Sequence, residues 1–171
     1  MATRAGLVTL HGKPVTLVGD EVREGDLAPD ATLLDNDLRP VRLSTFRGRV
    51  CVLSAVPSLD TPVCDRETRR FNEEAGRLGG NVAIVTISVD LPFAQKRWCG
   101  AAGIANVITL SDYRDLEFGT RFGVLIEELR LLARCVFVLD RGGRVALVEL
   151  VKEVSSEPDY DAVLGAVRRL L

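Results

Sequence analysis

Two short apolar runs, Leu7-Val8-Thr9-Leu10 and Val15-Thr16-Leu17-Val18, flank the polar stretch His11-Gly12-Lys13-Pro14. Such a pair around a glycine-containing turn predicts a β-hairpin within residues 1–18. From Gly19 to Arg49 the chain is polar and broken by Gly25, Pro29, Pro40 and Gly48. The apolar pieces Ala31–Leu34 and Val41–Leu43 predict loops carrying one or two edge strands. Val50-Cys51-Val52-Leu53-Ser54-Ala55-Val56 is a dense run of strand-forming residues stopped by Pro57, which suits a central strand buried on both faces.

Helix signals follow at once. Thr61 is a good N-cap, Pro62 suits the first helical position, and Val63, Phe71, Ala75 and Leu78 lie near one face, with Gly79-Gly80 as the stop. Asn81–Val89 predicts a strand, Phe93 to about Gly100 a helix opened by Leu91-Pro92, Val107–Leu110 a strand and Arg114–Phe122 a helix. Cys135–Leu139 and Arg144–Leu150, joined by Asp140-Arg141-Gly142-Gly143, predict a hairpin. Pro158 opens a last amphipathic helix through Val163, Val167 and Leu170. Strands alternating with helices, then a hairpin and a closing helix, predict an α/β fold with a central mixed sheet flanked by helices. That order is the order of a thioredoxin-like fold, although order alone does not fix function. No repeat or linker divides residues 1–171, which read as one domain.

Composition narrows the functional classes. A chain of 171 residues with 47% hydrophobic and 27% charged positions is ordinary globular material. The formal net charge of -2 and the lack of a basic cluster argue against nucleic acid as a partner. Apolar stretches fall short of the ~18 residues of a spanning helix, so no membrane association is expected. Met1–Thr9 does not resemble a secretory signal, which makes the cytosol the expected compartment.

The cysteines stand at 51, 64, 99 and 135, with no C-x-x-C pair, and there is one histidine. That set lacks the ligands and spacing of a structural zinc site. In a reducing compartment, a disulfide between any of them is expected to be transient and catalytic. Cys64 falls three residues after the cap Thr61, in the first turn of a helix. Unpaired N–H groups and the positive end of the helix dipole favour an anion there, so Cys64 is the expected nucleophile. Cys51 and Cys135 lie inside apolar runs and read as core packing. Cys99 follows Lys96-Arg97-Trp98 at a helix end, where an accessible thiol could capture an oxidised Cys64.

Pro57-Ser58-Leu59-Asp60-Thr61-Pro62-Val63-Cys64 resembles the P-x-x-x-T-x-x-C motif of peroxiredoxins, in the wording of the thiol peroxidase subgroup. Asp90-Leu91-Pro92-Phe93-Ala94-Gln95 with Arg97-Trp98-Cys99 is similar to that subgroup's resolving-cysteine segment. Asn106–Ser111, Ala133-Arg134 and Glu157–Tyr160 extend the likeness. The resemblance implies Cys64 as peroxidatic cysteine, Cys99 as resolving cysteine, and Thr61, Arg134 and Pro57 as the groups completing the pocket. It also implies a peroxide substrate, thioredoxin as reductant, a Cys64–Cys99 disulfide and a homodimer. Arg134 would favour the thiolate through a fixed charge, and Thr61 would accept from peroxide and donate to sulfur. Pro57 would shield the thiolate from water. No metal, haem or flavin is required, since sulfur carries the redox chemistry.

Two other readings stay open on the residues alone. A thiol-disulfide oxidoreductase would ordinarily carry C-x-x-C, where this chain has Thr61, and a thioredoxin-like binding module would need no reactive thiol. His11 falls in a turn with no indicated Ser-His-Asp set, and Gly76, Gly79 and Gly80 lack phosphate-loop spacing. Arg66, Glu67, Arg69 and Arg70 read as a solvated helix face.

Overall fold

A computed structural model describes residues 1–171. In chain order the elements are β1 (Thr3–Leu10), β2 (Lys13–Val18), β3 (Thr32–Leu34), β4 (Pro40–Arg42), β5 (Val50–Ala55), α1 (Pro62–Leu78), β6 (Val82–Ser88) and α2 (Pro92–Ala102). There follow β7 (Ile108–Ser111), α3 (Glu117–Arg121), β8 (Leu125–Ile126), β9 (Leu131–Leu132), β10 (Cys135–Leu139), β11 (Val145–Leu150) and α4 (Tyr160–Leu170). Seven strands form a mixed sheet in the order β11-β10-β5-β6-β7-β3-β4. Its centre, β5-β6-β7, is parallel, and the flanking strands are antiparallel. A second, four-stranded sheet runs β1-β2-β8-β9.

Alternation along the central strands sends side chains to two cores. Val50, Val52 and Ile84 pack with Phe71 of α1 and with Val163 and Val167 of α4. Leu53, Ala55, Val85 and Ile87 face the larger core, which Val8 and Leu17 of the hairpin, Phe118 of α3 and Ile126 complete. The residues of β5 are all buried, as expected for a strand covered on both sides. The register places Cys135 opposite Ala55, so Arg134 arrives beside the loop that leaves β5 for α1. That loop is at the carboxyl end of a parallel strand, where open α/β sheets present their sites.

The hairpin forms as the pattern predicts, with a tighter turn. Only His11 and Gly12 lie between the strands, both with positive φ (51° and 78°), which is the two-residue geometry matched to strand twist. Three boundaries differ from the sequence reading. The helix expected over Arg114–Phe122 shortens to five residues, because Asp112 accepts from the N–H groups of Phe118 (3.0 Å) and Gly119 (2.8 Å) and wraps the preceding segment into a turn. Pro158 does not open α4; Asp159 caps it by accepting from Ala162 N at 3.0 Å. Leu43 leaves the edge strand for a short 3-10 turn, and β8 and β9 extend the hairpin into a sheet.

Candidate active site

The start of α1 is built as its sequence dictates. Thr61 is extended, and its hydroxyl accepts from Cys64 N at 3.3 Å, while Pro62 sits where a helix lacks a partner for its N–H anyway. Cys64 thereby enters the first turn, with Thr68 Oγ1 donating to its carbonyl at 2.8 Å. The thiol is closed to solvent, packed with Val56, Leu59 and the half-buried Trp98. Pro57 is buried next to that cluster in sequence. Thr61 Oγ1 donates to Ser58 O at 3.2 Å, so its one proton is not directed at sulfur as expected. A hydroxyl oxygen has two lone pairs, and the second remains for a substrate proton.

Arg134 is 1% exposed, which excludes a strand-edge surface charge. Each nitrogen of its fork has a partner. Nη2 donates to Cys64 Sγ at 3.2 Å, Nη1 to Glu67 Oε2 at 2.5 Å and Nε to Val154 O at 2.9 Å. Burial opposes the charge on Arg134, but attraction to Glu67, then to Cys64, and hydrogen bonds to both outweigh it and raise the guanidinium above its ordinary value. The cation is therefore permanent. Glu67 is wholly buried and also accepts from Ser54 Oγ at 2.8 Å. This corrects the reading of Arg66, Glu67, Arg69 and Arg70 as one solvated face. Glu67 turns inward and fixes the plane of the Arg134 fork. A signal for it exists in the sequence: Glu67 lies on the stripe that runs through Cys64, Thr68 and Phe71, where a carboxylate must find a buried cation.

Asp90 fastens the loop before Cys64. It accepts from Ser58 Oγ (2.7 Å), Leu59 N (2.8 Å) and Ser88 Oγ (2.7 Å), and Gln95 Nε2 donates to Ser88 Oγ at 3.0 Å. The loop is thus tied to the connection between β6 and α2. Cys99, on α2, is half-buried, and its sulfur lies 3.5 Å from Thr109 Oγ1 on β7. All four cysteines are free thiols, and the structure does not join Cys99 to Cys64. Cys51 and Cys135 belong to the core, where burial pushes the Cys51 thiol up to about 12, slightly offset by Arg49, and pushes Cys135 up as well.

A lone thiol in a helix's first turn, contacted by a buried arginine at the carboxyl end of an α/β sheet, defines a thiol enzyme rather than a binding module. Comparison with known proteins specifies the class. The Redoxin family model matches residues 23–164. The chain is 56% identical to the thiol peroxidase of Bacillus subtilis (strain 168) over 164 residues, 96% of this chain and 98% of that protein. It is 54% identical to the thiol peroxidase of Staphylococcus aureus (strain MRSA252) over 163 residues, 95% of this chain and 98% of that one. Among solved structures, a peroxiredoxin-like protein from Aquifex aeolicus superposes with a TM-score of 0.91 at 44% identity, covering 98% of each chain. The chain belongs to the Redoxin family, with the thioredoxin-like fold. Its activity is that of a thiol-dependent peroxidase, which sets aside both the disulfide oxidoreductase and the non-catalytic module. No helix is long and apolar enough to cross a membrane.

Proposed function

We propose that Cys64 is the peroxidatic cysteine and Cys99 of the same chain its resolving partner. The Cys64 thiolate attacks one oxygen of a hydroperoxide, the O–O bond breaks, and the other oxygen leaves as alkoxide or hydroxide and takes up a proton. Arg134 Nη2 and backbone N–H groups of the first turn stabilise the charge that moves onto the leaving oxygen, and Thr61 Oγ1 accepts from the peroxide. Pro57 helps keep water from the sulfur. The observation that carries this reading is the Arg134–Cys64 contact of 3.2 Å, made by a buried cation to a thiol at a helix start. Because the thiol is closed to solvent, substrate reaches it when its apolar cover shifts.

Sulfenic acid on Cys64 then condenses with the Cys99 thiol, releasing water and forming a disulfide that protects Cys64 from further oxidation. A dithiol reductant resets the enzyme, and thioredoxin is the reading we favour, in a cytosolic setting. We favour a homodimer as well. Leu91, Phe93 and Tyr113 are exposed and supply apolar surface for it. Replacing Cys64 by Ser tests the assignment: peroxide consumption is lost, whereas Cys99→Ser still undergoes the first oxidation but is not recycled by thioredoxin. Steady-state turnover in Cys64→Ser would overturn it.

A further inference from the structure

We propose that Asp65, Trp98 and Arg69 form a clasp that must open before Cys99 reaches Cys64, and that these positioning residues set the rate of the resolving step. This rests on the assignment of Cys64 and Cys99 above. Asp65 directly follows Cys64 and Trp98 directly precedes Cys99, so the clasp joins the two segments that must exchange partners. Trp98 Nε1 donates to Asp65 Oδ1 at 3.0 Å. Arg69 Nε donates to Asp65 Oδ2 at 2.8 Å, its guanidinium lies 5.9 Å from the centre of the Trp98 ring, and its Nη1 donates to Ala102 O at 3.3 Å.

The face of α2 decides the consequence. Successive helical residues point about 100° apart, as 3.6 residues per turn requires. While Trp98 is held toward α1, Cys99 therefore points elsewhere, and its sulfur rests against Thr109 of β7. Trp98 also packs against the buried cluster of Val56, Leu59 and Cys64. A disulfide needs the two sulfurs about 2.05 Å apart. The indole that stands between the segments has to leave Asp65 before that contact forms.

The chemistry of the step balances within the chain. The Cys99 sulfur attacks the Cys64 sulfur of the sulfenic acid, the S–O bond breaks, and the departing hydroxide takes the thiol proton as water. Until the clasp opens, a second hydroperoxide competes, converting the sulfenic acid to sulfinic acid and itself becoming an alcohol or water. The clasp thus sets the branch between resolution and inactivation.

The two oxidations separate kinetically, because peroxide attack scales with peroxide concentration and disulfide formation does not. Acid quenching, alkylation and mass spectrometry read the peroxide-independent phase in wild type, Trp98→Phe, Asp65→Ala and the double variant. Losing a hydrogen bond to a carboxylate should raise that rate constant about tenfold to hundredfold in each single variant. The double variant should gain no more than Asp65→Ala alone, since that change already removes the bond to Trp98 along with the one to Arg69. The fraction of Cys64 reaching sulfinic acid at fixed excess peroxide should fall correspondingly. Arg69→Ala removes the other strap and supplies the same test should Asp65→Ala fail to fold. Trp98 is the single tryptophan of the chain, so wild-type emission should change with the peroxide-independent phase and stay constant in Cys99→Ser. An unchanged or slower constant in the variants, additive effects in the double variant, or emission that follows the peroxide-dependent phase would overturn the clasp. If wild type forms no Cys64–Cys99 disulfide, the site assignment fails instead; a disulfide forming at an unaltered rate sinks the clasp alone.

Discussion

Replacing Glu67 by alanine strands a buried cation. Arg134 keeps its bonds to Val154 O and Cys64 Sγ, but it loses the carboxylate 2.5 Å from Nη1 in a site where neither side chain sees solvent. Breaking a buried ion pair by removing one partner costs about 3–5 kcal/mol, well beyond the value of an exposed pair. For a chain of this size that lowers the melting temperature by about 10 °C. Glu67→Gln keeps an acceptor for the fork or for Ser54 and loses the charge, so its cost is smaller, about 2 kcal/mol. The same carboxylate orients Nη2 onto sulfur, so peroxide oxidation of Cys64 should slow about tenfold to hundredfold in Glu67→Ala through misplacement of the cation. Urea unfolding under reducing conditions gives the stability, and stopped-flow oxidation gives the rate. A loss below about 1 kcal/mol together with an unchanged oxidation rate would refute the role of Glu67, because a solvated surface pair gives that result.

Two further outcomes follow from buried titratable groups. Burial pushes the Asp112 carboxyl up to about 6 from an ordinary 3.8, against the two backbone N–H bonds from Gly119 and Phe118 and with help from Glu117 and Asp115. The folded state then binds this proton more tightly than the unfolded one, so stability falls as pH rises from about 4 to about 6, by about 3 kcal/mol in all. The difference in unfolding free energy between wild type and Asp112→Asn should change by that amount across the window, and a difference independent of pH would contradict it. Cys51, with its thiol held near 12, and Cys135, pushed up as well, should resist iodoacetamide in the native reduced protein at pH 8. Cys99 should label first, and rapid native labelling of Cys51 or Cys135 would count against their place in the core.

Local chemistry in the sequence reaches the strand–loop–helix that carries Cys64, because each part is stated by adjacent residues: a β-branched run, Pro57, the Thr61 cap and Pro62. Arg134 is singled out only by the family resemblance at Ala133-Arg134, and its burial is not visible there, since an arginine before a strand is as often a surface residue. Glu67 shows the limit more sharply. Its neighbours Arg66, Arg69 and Arg70 are exposed, and the partner that explains it lies 67 residues further along the chain. The two-residue strands β8 and β9 are too short to show any period, and they exist only because β2 offers an edge. The helix expected over Arg114–Phe122 overruns the five residues of α3 for a related reason: a pattern of helix formers does not reveal that Asp112 holds two of its N–H groups.

The most direct test of the central claim is peptide mapping of the wild-type protein treated with one equivalent of peroxide and digested without reductant. A single cross-link, Cys64 to Cys99, is expected, with Cys51 and Cys135 recovered as thiols. A Cys64 recovered unmodified, or linked to Cys51 or Cys135 in place of Cys99, would contradict it.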